Sequence, residues 1–167
     1  EDNLPAGCCF DDEDEYEEEE FADEYEEVQD TDTSDAAKAE ELCNTGDDYY
    51  YGRNGKQKDY AEAVKYFVQA AELGYTYAQY SLAYCYEKGQ GVEANEAESA
   101  RWYGKAAEQG HAESQCSYGI CCELGKGVAK NQTEAVKWYR KAADQDYARA
   151  QELLGDCYYQ GTGVTRN

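Results

Sequence analysis

The chain has 167 residues and a formal net charge of −22, and this charge is unevenly distributed. Residues 1–35 contain 18 Asp and Glu and no Lys or Arg, which leaves 19 acidic and 15 basic residues in the remainder. No basic patch is available to neutralise phosphates, which argues against nucleic acid as a partner. No apolar stretch has the length of a transmembrane helix, so no membrane segment is expected in this chain.

The first segment, residues 1–35, is predicted to be a disordered acidic tail. Its runs of like charge contain too few apolar side chains to form a core. Within it, Phe21, Tyr25 and Val28 stand at offsets of 0, 4 and 7, which also fits a short amphipathic helix that docks on a basic partner or caps the first repeat. A solubilising tail and a docking motif both remain open.

The rest of the chain, residues 36–167, repeats every 36 residues. The turn sequence G-x-G-V begins at residues 89, 125 and 161, and the pair Trp-Tyr at 102–103 returns at 138–139. Repetition at this length is typical of helix–turn–helix units that stack to share one core. We therefore predict an all-α fold, an α/α superhelical solenoid, with repeats at 36–74, 75–110, 111–146 and 147–167. The last copy is half a unit, and its unfinished apolar face predicts possible self-association.

Each unit is predicted to contain two helices, A and B. The apolar residues of helix A recur at offsets of 0, 4, 7 and 8, which places them on one helical face, as for Ala78, Leu82, Cys85 and Tyr86. The corresponding stripe of helix B is Ala63, Phe67, Ala70 and Ala71 in the first copy, and Ala135, Tyr139, Ala142 and Ala143 in the third.

The ends of helix B carry their own signals. Asp59, Asn95 and Asn131 are each followed three residues later by Glu, which predicts a capping box with hydrogen bonds in both directions. Glycine ends the first two B helices at residues 74 and 110. Asp146 replaces this glycine in the third copy, and we expect the connection there to differ locally.

The chain has eight cysteines, of which the three that recur with the repeat are predicted to be buried core residues and not partners in disulfides. Cys85, Cys121 and Cys157 recur every 36 residues near the end of helix A. Equivalent residues of neighbouring repeats lie about 8–10 Å apart or more, whereas a disulfide needs Cα atoms within about 7 Å. Free thiols in the core favour a reducing compartment, and we expect a cytoplasmic location.

No catalytic, metal or cofactor site is expected. The single histidine, His111, lies in a turn between repeats without a Cys or Ser partner placed by any motif, so a turn or capping role is favoured. The cysteines lack the paired C-x-x-C spacing that is typical of zinc sites.

The repeated residues resemble the Sel1-like repeat, a relative of the tetratricopeptide repeat. In the second copy the resemblance is carried by Ala78, Gln79, Leu82, Tyr86, Gly89, Gly91, Val92, Ala100, Trp102, Tyr103, Lys105, Ala106 and Ala107. It covers residues 36–167 and implies an α/α superhelix that serves as a non-enzymatic adaptor for protein complexes. Cysteine-rich members of the family resemble secreted proteins to which β-lactam hydrolysis has been attributed. This chain departs from them, because it has Lys-Ala-Ala at 105–107 and 141–143 and no S-x-x-K or K-T-G motif.

The expected binding surface is the concave side of the superhelix, lined by the A helices. A protein or peptide is the expected partner, because tyrosine and arginine dominate interface hot spots. The candidate residues are Tyr77, Tyr80 and Tyr84 in the second copy, Glu113, Cys116 and Ile120 in the third, and Arg149, Glu152 and Asp156 in the fourth. Packing of Tyr80 or Tyr84 between adjacent A helices is the structural alternative. Binding of a basic partner by the acidic tail, and hydrolysis of the cysteine-rich type, are the functional alternatives.

Overall fold

The computed structural model describes residues 31–164, with side chains from Ser34 onward. This part of the chain contains seven α-helices and no strand, which confirms the predicted all-α repeat solenoid. The helices are α1 (Thr31–Tyr51), α2 (Tyr60–Glu72), α3 (Thr76–Lys88), α4 (Glu96–Glu108), α5 (Ala112–Leu124), α6 (Gln132–Ala143) and α7 (Ala148–Gln160). The predicted tail disorder in residues 1–30, including the candidate helix at Tyr25, lies outside the described residues.

The helices form a linear stack. α1 with α2, α3 with α4 and α5 with α6 are the three complete hairpins, and α7 is helix A of the fourth repeat. The extensive contacts are all between consecutive helices, as expected of a solenoid in which each repeat touches only its neighbours. Hereafter the helix-A face denotes the surface formed by α1, α3, α5 and α7.

Helix α1 begins at Thr31, inside the segment that composition assigned to the tail. Its first residues are Thr, Ser and Asp, which are common in disordered segments and equally common at helix N-termini. Composition alone therefore does not separate the two states.

The predicted apolar stripes form the core. Ala78, Leu82 and Cys85 of α3 are fully buried, and Ala63 and Phe67 of α2 are buried beside them. The core continues from repeat to repeat, because Tyr118 and Val128 pack against the buried residues of both the second and the third hairpin.

In the part of the chain that the structure describes, one side of α7 is not covered by another helix, as a comparison of three equivalent glycines shows. A methyl group added at Gly119 would meet the ring of Tyr139, which comes from helix B of the same repeat, and Phe67 covers Gly46 in the same way. Gly155, the equivalent residue of α7, has no neighbouring atom within 4 Å of that position. Self-association through this face stays a prediction.

The capping boxes form in one direction only. The Asn95 side chain accepts a hydrogen bond from the backbone N–H of Glu98, at 3.1 Å, as predicted. The predicted return bond, from the N–H of Asn95 to the Glu98 carboxylate, does not form, because this carboxylate pairs with Arg101 at 2.6 Å. The N–H of Asn95 donates to the carbonyl of Tyr86, at 3.0 Å, which ties helix B to helix A of the same repeat. The caps at Asp59 and Asn131 have the same arrangement.

The connection after α6 differs locally in where the helix ends, since α6 stops at Ala143, one residue before the position equivalent to Glu72 of α2 and Glu108 of α4, but the turn itself is the same. Asp146 has a φ of +61°, in the same left-handed region as Gly74 and Gly110, with φ of +87° and +92°. The N–H of Tyr147 donates to the carbonyl of Ala142, at 3.2 Å, as its equivalents do in the earlier repeats. Aspartate is one of the few residues with a side chain that tolerates this conformation, so the turn is kept.

Candidate functional site

The groups that could support nucleophilic or acid–base chemistry have structural roles. The cysteines of the described region, at positions 43, 85, 116, 121, 122 and 157, are free and buried. Burial raises the pKa of Cys43 and Cys85 to about 12 and that of Cys121 to about 11, so these thiols are protonated at neutral pH.

His111 is the N-cap of α5, which confirms the predicted capping role. Its Nδ1 accepts a hydrogen bond from the backbone N–H of Ser114 at 3.3 Å, and burial lowers the pKa of the imidazole. Within residues 31–164 the structure contains no group of three or more His, Cys, Asp and Glu side chains placed to hold a metal ion. No helix in the described region is both long and apolar enough to cross a bilayer.

The helix-A face contains an open pocket of about 350 Å³ between α1 and α3, named here the tyrosine pocket. Tyr50 and Tyr51 come from the end of α1, and Tyr77, Tyr80 and Tyr84 come from α3. Asp47, Ser81 and the Phe67 ring of α2 complete the lining. Residues 77, 80 and 84 point the same way because they are three and four positions apart on one helix.

Two of these tyrosines are held firmly in the wall of the pocket. The ring of Tyr80 packs against Tyr103 and His111, with ring centroids 5.9 Å and 5.1 Å apart, and burial raises the pKa of Tyr80 to about 12. The Tyr50 hydroxyl donates to Oε1 of Gln90 at 2.6 Å, and its ring meets Tyr60 edge to face. These contacts preorganise the wall, which lowers the entropy cost of binding.

The other rings are accessible. Tyr77 is 40% exposed and Tyr51 is 54% exposed. Burial of part of the Tyr77 ring, followed by the nearby charge of Asp47, raises the pKa of the Tyr77 hydroxyl, so this phenol is neutral at physiological pH. A partner could therefore cover apolar ring surface here and still meet hydroxyl groups for hydrogen bonding.

A second pocket, of about 390 Å³, lies farther along the stack between α3, α4, α5 and the start of α7, and is named here the mixed-charge pocket. Its lining includes the cations of Lys88, Lys126 and Arg149. Burial of Glu87 acts to raise its pKa, but hydrogen bonds from Lys88 at 2.7 Å and from the Tyr103 hydroxyl at 2.8 Å bring it below its usual value. The two pockets both have α3 in their walls and differ in chemistry, one aromatic and acidic and the other of mixed charge; the surface that includes both is called the groove below.

The comparison with protein families identifies this fold. The family model described as Sel1 repeat matches residues 42–75, 76–111, 112–147 and 148–167. The chain belongs to the Sel1 repeat family. The matched segments follow the hairpins, since each begins in or just before an odd-numbered helix. Sel1 repeat proteins are typically scaffolds for protein–protein interaction.

Solved Sel1 structures show the same stack. The chain is 37% identical to a protective antigen of uropathogenic Escherichia coli with an SLR fold, with a TM-score of 0.75, covering 82% of this chain and 29% of that one. It is 36% identical to a Sel1 repeat protein from Oxalobacter formigenes, with a TM-score of 0.75, covering 84% of this chain and 56% of that one. Cysteine rich protein B of Helicobacter pylori, at 23% identity, a TM-score of 0.59 and coverage of 76% and 97%, shows the fold alone. No curated protein matches the chain.

The structure brings together part of the sequence-predicted binding set. The second Sel1 repeat supplies Tyr77, Tyr80 and Tyr84 to the tyrosine pocket, and Ile120 and Arg149 line the mixed-charge pocket. Tyr80 also fits the alternative in which the ring has a packing role, because it lies against the core formed by α3 and α4.

The remaining predicted residues lie elsewhere. Glu113 is partly buried, and its charge contributes to the raised pKa of Tyr80, after burial. Cys116 is only 2% exposed and packs beside Ala142, so it is removed from the surface that a partner could touch. Asp156 is exposed and lines neither pocket. The offsets that selected Cys116 place it in a cluster with Ala142 of α6 and Ala150 of α7, so its own hairpin and the next repeat both contribute to its burial.

Sequence reasoning missed the contribution of α1 to the groove. Asp47, Tyr50 and Tyr51 belong to the divergent first repeat, whose turn is one residue longer than the others. The N–H of Asp59 bonds to the carbonyl of Tyr49, ten residues earlier, whereas the equivalent bond from Asn131 reaches Cys122, nine residues earlier. The 36-residue period therefore becomes 37 at α1. The available signal was the turn at 52–55, which reads G-R-N-G instead of G-x-G-V.

Proposed function

We propose that this Sel1 repeat chain is a non-enzymatic scaffold that binds a segment of a partner protein along the helix-A face. The observation that supports this function is the tyrosine pocket, where five tyrosines from two adjacent repeats surround one open cavity. Tyrosine is enriched at interface hot spots, since it buries a large ring at a small cost in side-chain entropy.

The geometry favours an extended segment over a small molecule. The tyrosine pocket and the mixed-charge pocket share α3 as a wall, so one segment crossing α3 reaches both. Two pockets of this kind take successive side chains of a peptide, whereas a single small ligand usually occupies one enclosed cavity.

The test uses peptides selected from a random display library against the full chain. Replacing Tyr77 or Tyr84 by alanine is expected to weaken binding of the selected peptides at least about tenfold, because hot-spot truncation costs more than about 1.4 kcal/mol. Tyr159→Ala is the matched control, since Tyr159 is 77% exposed on α7 and lines neither pocket. Binding is measured by titration calorimetry.

The acidic tail is the competing binding element. Deletion of residues 1–30 should leave peptide affinity unchanged if the helix-A face is the binding surface. Loss of affinity on this deletion, steep salt dependence and no effect of Tyr77→Ala or Tyr84→Ala would contradict the proposal and place binding in the tail.

A further inference from the structure

We infer that the tyrosine pocket takes the side chain of a lysine or arginine from the bound segment, with Asp47 as its counter-ion. This inference rests on the proposed function and specifies the partner chemistry of the same site. Four observations support it: the charge of the lining, the orientation of cations already near these rings, the uncompensated carboxylate and the contrast with the second pocket.

The lining of the tyrosine pocket contains one carboxylate, from Asp47, and no lysine or arginine. Among the residues whose side chains the structure describes, Asp47 is in none of the ion pairs formed within 4 Å. The pocket therefore presents negative charge and aromatic surface to an incoming group.

Tyrosine rings attract cations through the negative potential of their faces. Two rings of this pocket already lie close to cations of the same chain. The Arg53 guanidinium carbon lies 4.5 Å from the centroid of Tyr51, and the Lys88 ammonium lies 5.5 Å from the centroid of Tyr84. Neither Arg53 nor Lys88 lines the pocket, so the cavity itself is left for a cation supplied by a partner.

The positive charge near Asp47 is too small to offset the effect of burial on its carboxyl group. Burial raises the pKa of its carboxyl group, and the lowering caused by the nearby Arg53 does not offset this effect. Glu113 adds to the negative potential, because after burial its charge contributes to the raised pKa of both Tyr77 and Tyr80. A bound ammonium or guanidinium group would compensate this potential in a partly desolvated site, where an ion pair is stronger than in water.

An apolar occupant fits the site less well. A leucine or phenylalanine side chain would displace water from Asp47 without replacing its hydrogen bonds, and a buried unpaired carboxylate is costly. The mixed-charge pocket is less suited to a basic group, since the cations of Lys88, Lys126 and Arg149 outnumber the carboxylates of Glu87 and Glu96 in its lining. The basic residue of the segment is therefore assigned to the α1–α3 end of the groove.

The experiment uses the library-selected peptides as probes and the full chain as receptor. Selected peptides are expected to contain a lysine or arginine, and replacing it with norleucine or citrulline should weaken binding to the wild type about tenfold or more. In Asp47→Asn, which keeps the shape of the side chain, the same replacement should weaken binding by a several-fold smaller factor than in the wild type, because the ion pair with Asp47 is absent while the attraction of the tyrosine rings and Glu113 remains. Asp156→Asn, an exposed carboxylate outside both pockets, is the control and should behave as the wild type.

The outcomes separate the two proposals. Peptides whose affinity depends on Tyr77 and Tyr84, but not on a positive charge or on Asp47, overturn this inference and leave the groove as the binding surface. An equal loss in the wild type and in Asp47→Asn also overturns it. If no peptide depends on Tyr77 or Tyr84, the proposed function and the inference both fail.

Discussion

At the scale of single residues, the repeated Trp-Tyr pair of helix B places its two rings in different environments. The hydroxyl of Tyr103 donates to Glu87 of the preceding helix at 2.8 Å, which joins the two helices of the repeat. Trp102 lies under the ammonium group of Lys105, 4.4 Å from the ring centroid. The third repeat has the same two contacts, from Tyr139 to Glu123 and from Lys141 to Trp138. Adjacent residues on a helix point about 100° apart, so the two rings have different neighbours although both are buried, with Trp102 5% and Tyr103 2% exposed.

The positive φ of Asp146 predicts a stabilising substitution. Asp146→Gly should raise the free energy of unfolding by about 0.5–1 kcal/mol, because glycine adopts the left-handed conformation without steric cost and this exceeds the entropy it adds to the unfolded chain. Urea denaturation measures the change. Asp144→Gly is the control: Asp144 has a φ of −65°, so glycine there should destabilise the fold. A loss of stability in Asp146→Gly would contradict the assignment of strain to this residue.

At the scale of the element, the two glycines of each G-x-G-V turn have separate functions. The first, such as Gly125 with a φ of +74°, ends helix A in the left-handed conformation, and its N–H donates to the carbonyl of Cys121 at 2.8 Å. The second, such as Gly127, lies against the backbone of Glu96 at the start of helix B in the preceding repeat. Gly91 and Gly163 contact the equivalent residues, Tyr60 and Gln132. The motif recurs because it sets the approach of one repeat to the next.

This contact can be separated from backbone strain by two glycine substitutions. Gly110→Ala should cost about 1 kcal/mol, because its φ is +92° but no atom lies within 4 Å of the new methyl group. Gly127→Ala should cost about 3 kcal/mol, since the methyl group would also overlap the Glu96 carbonyl. Thermal and urea unfolding provide the comparison. Equal losses would show that the close approach between repeats contributes nothing.

A second contact between repeats uses buried glutamine. Nε2 of Gln79 donates to the carbonyl of Ala71 at 3.2 Å, and its Oε1 accepts from Gln109 at 2.8 Å. Gln115 repeats both bonds with Ala107 and Gln145. Each glutamine adds a second hydrogen bond to a carbonyl at the end of the preceding B helix, which already accepts one from the backbone N–H of Gly74 or Gly110, so the buried amide has its own partners.

At the scale of the whole molecule, the stack buries many groups that become anionic only at high pH. Burial raises the pKa of Cys85 from 9.0 to about 12 and also raises that of Tyr103 and Tyr139, which carry further increases from their bonds to Glu87 and Glu123. These residues belong to two hairpins, α3–α4 and α5–α6, and their protonated state is linked to folding of the array.

The fold is therefore expected to lose stability in alkali. The unfolded chain releases protons from thiols and phenols above about pH 9, whereas the folded chain retains them, so the stability present below this pH declines as the pH rises. The Tm should fall progressively between about pH 8 and about pH 11. Cys85→Ala should reduce the slope of this decline, even if its Tm is lower throughout. A Tm that stays constant over this interval would contradict the burial of these groups.

The sequence by itself determined the helix-hairpin stack and much of its core. Apolar residues that return every 36 positions must share one environment, and only stacked hairpins hide all of them from water. The placement of Tyr77, Tyr80 and Tyr84 on one helix side follows from their spacing alone. Local rules of this kind are reliable because they depend on residues that are close along the chain.

The tertiary structure decided what those residues face. Cys116 has the spacing of a surface residue but is buried with Ala142 of its own hairpin and Ala150 of α7, and the Glu98 carboxylate pairs with Arg101 and not with the cap. The groove also depends on Asp47 and Tyr50, which the longer first turn shifts out of the 36-residue register. Pairings between different helices depend on how the hairpins pack, and a period read along one chain contains no information about a local change in that packing.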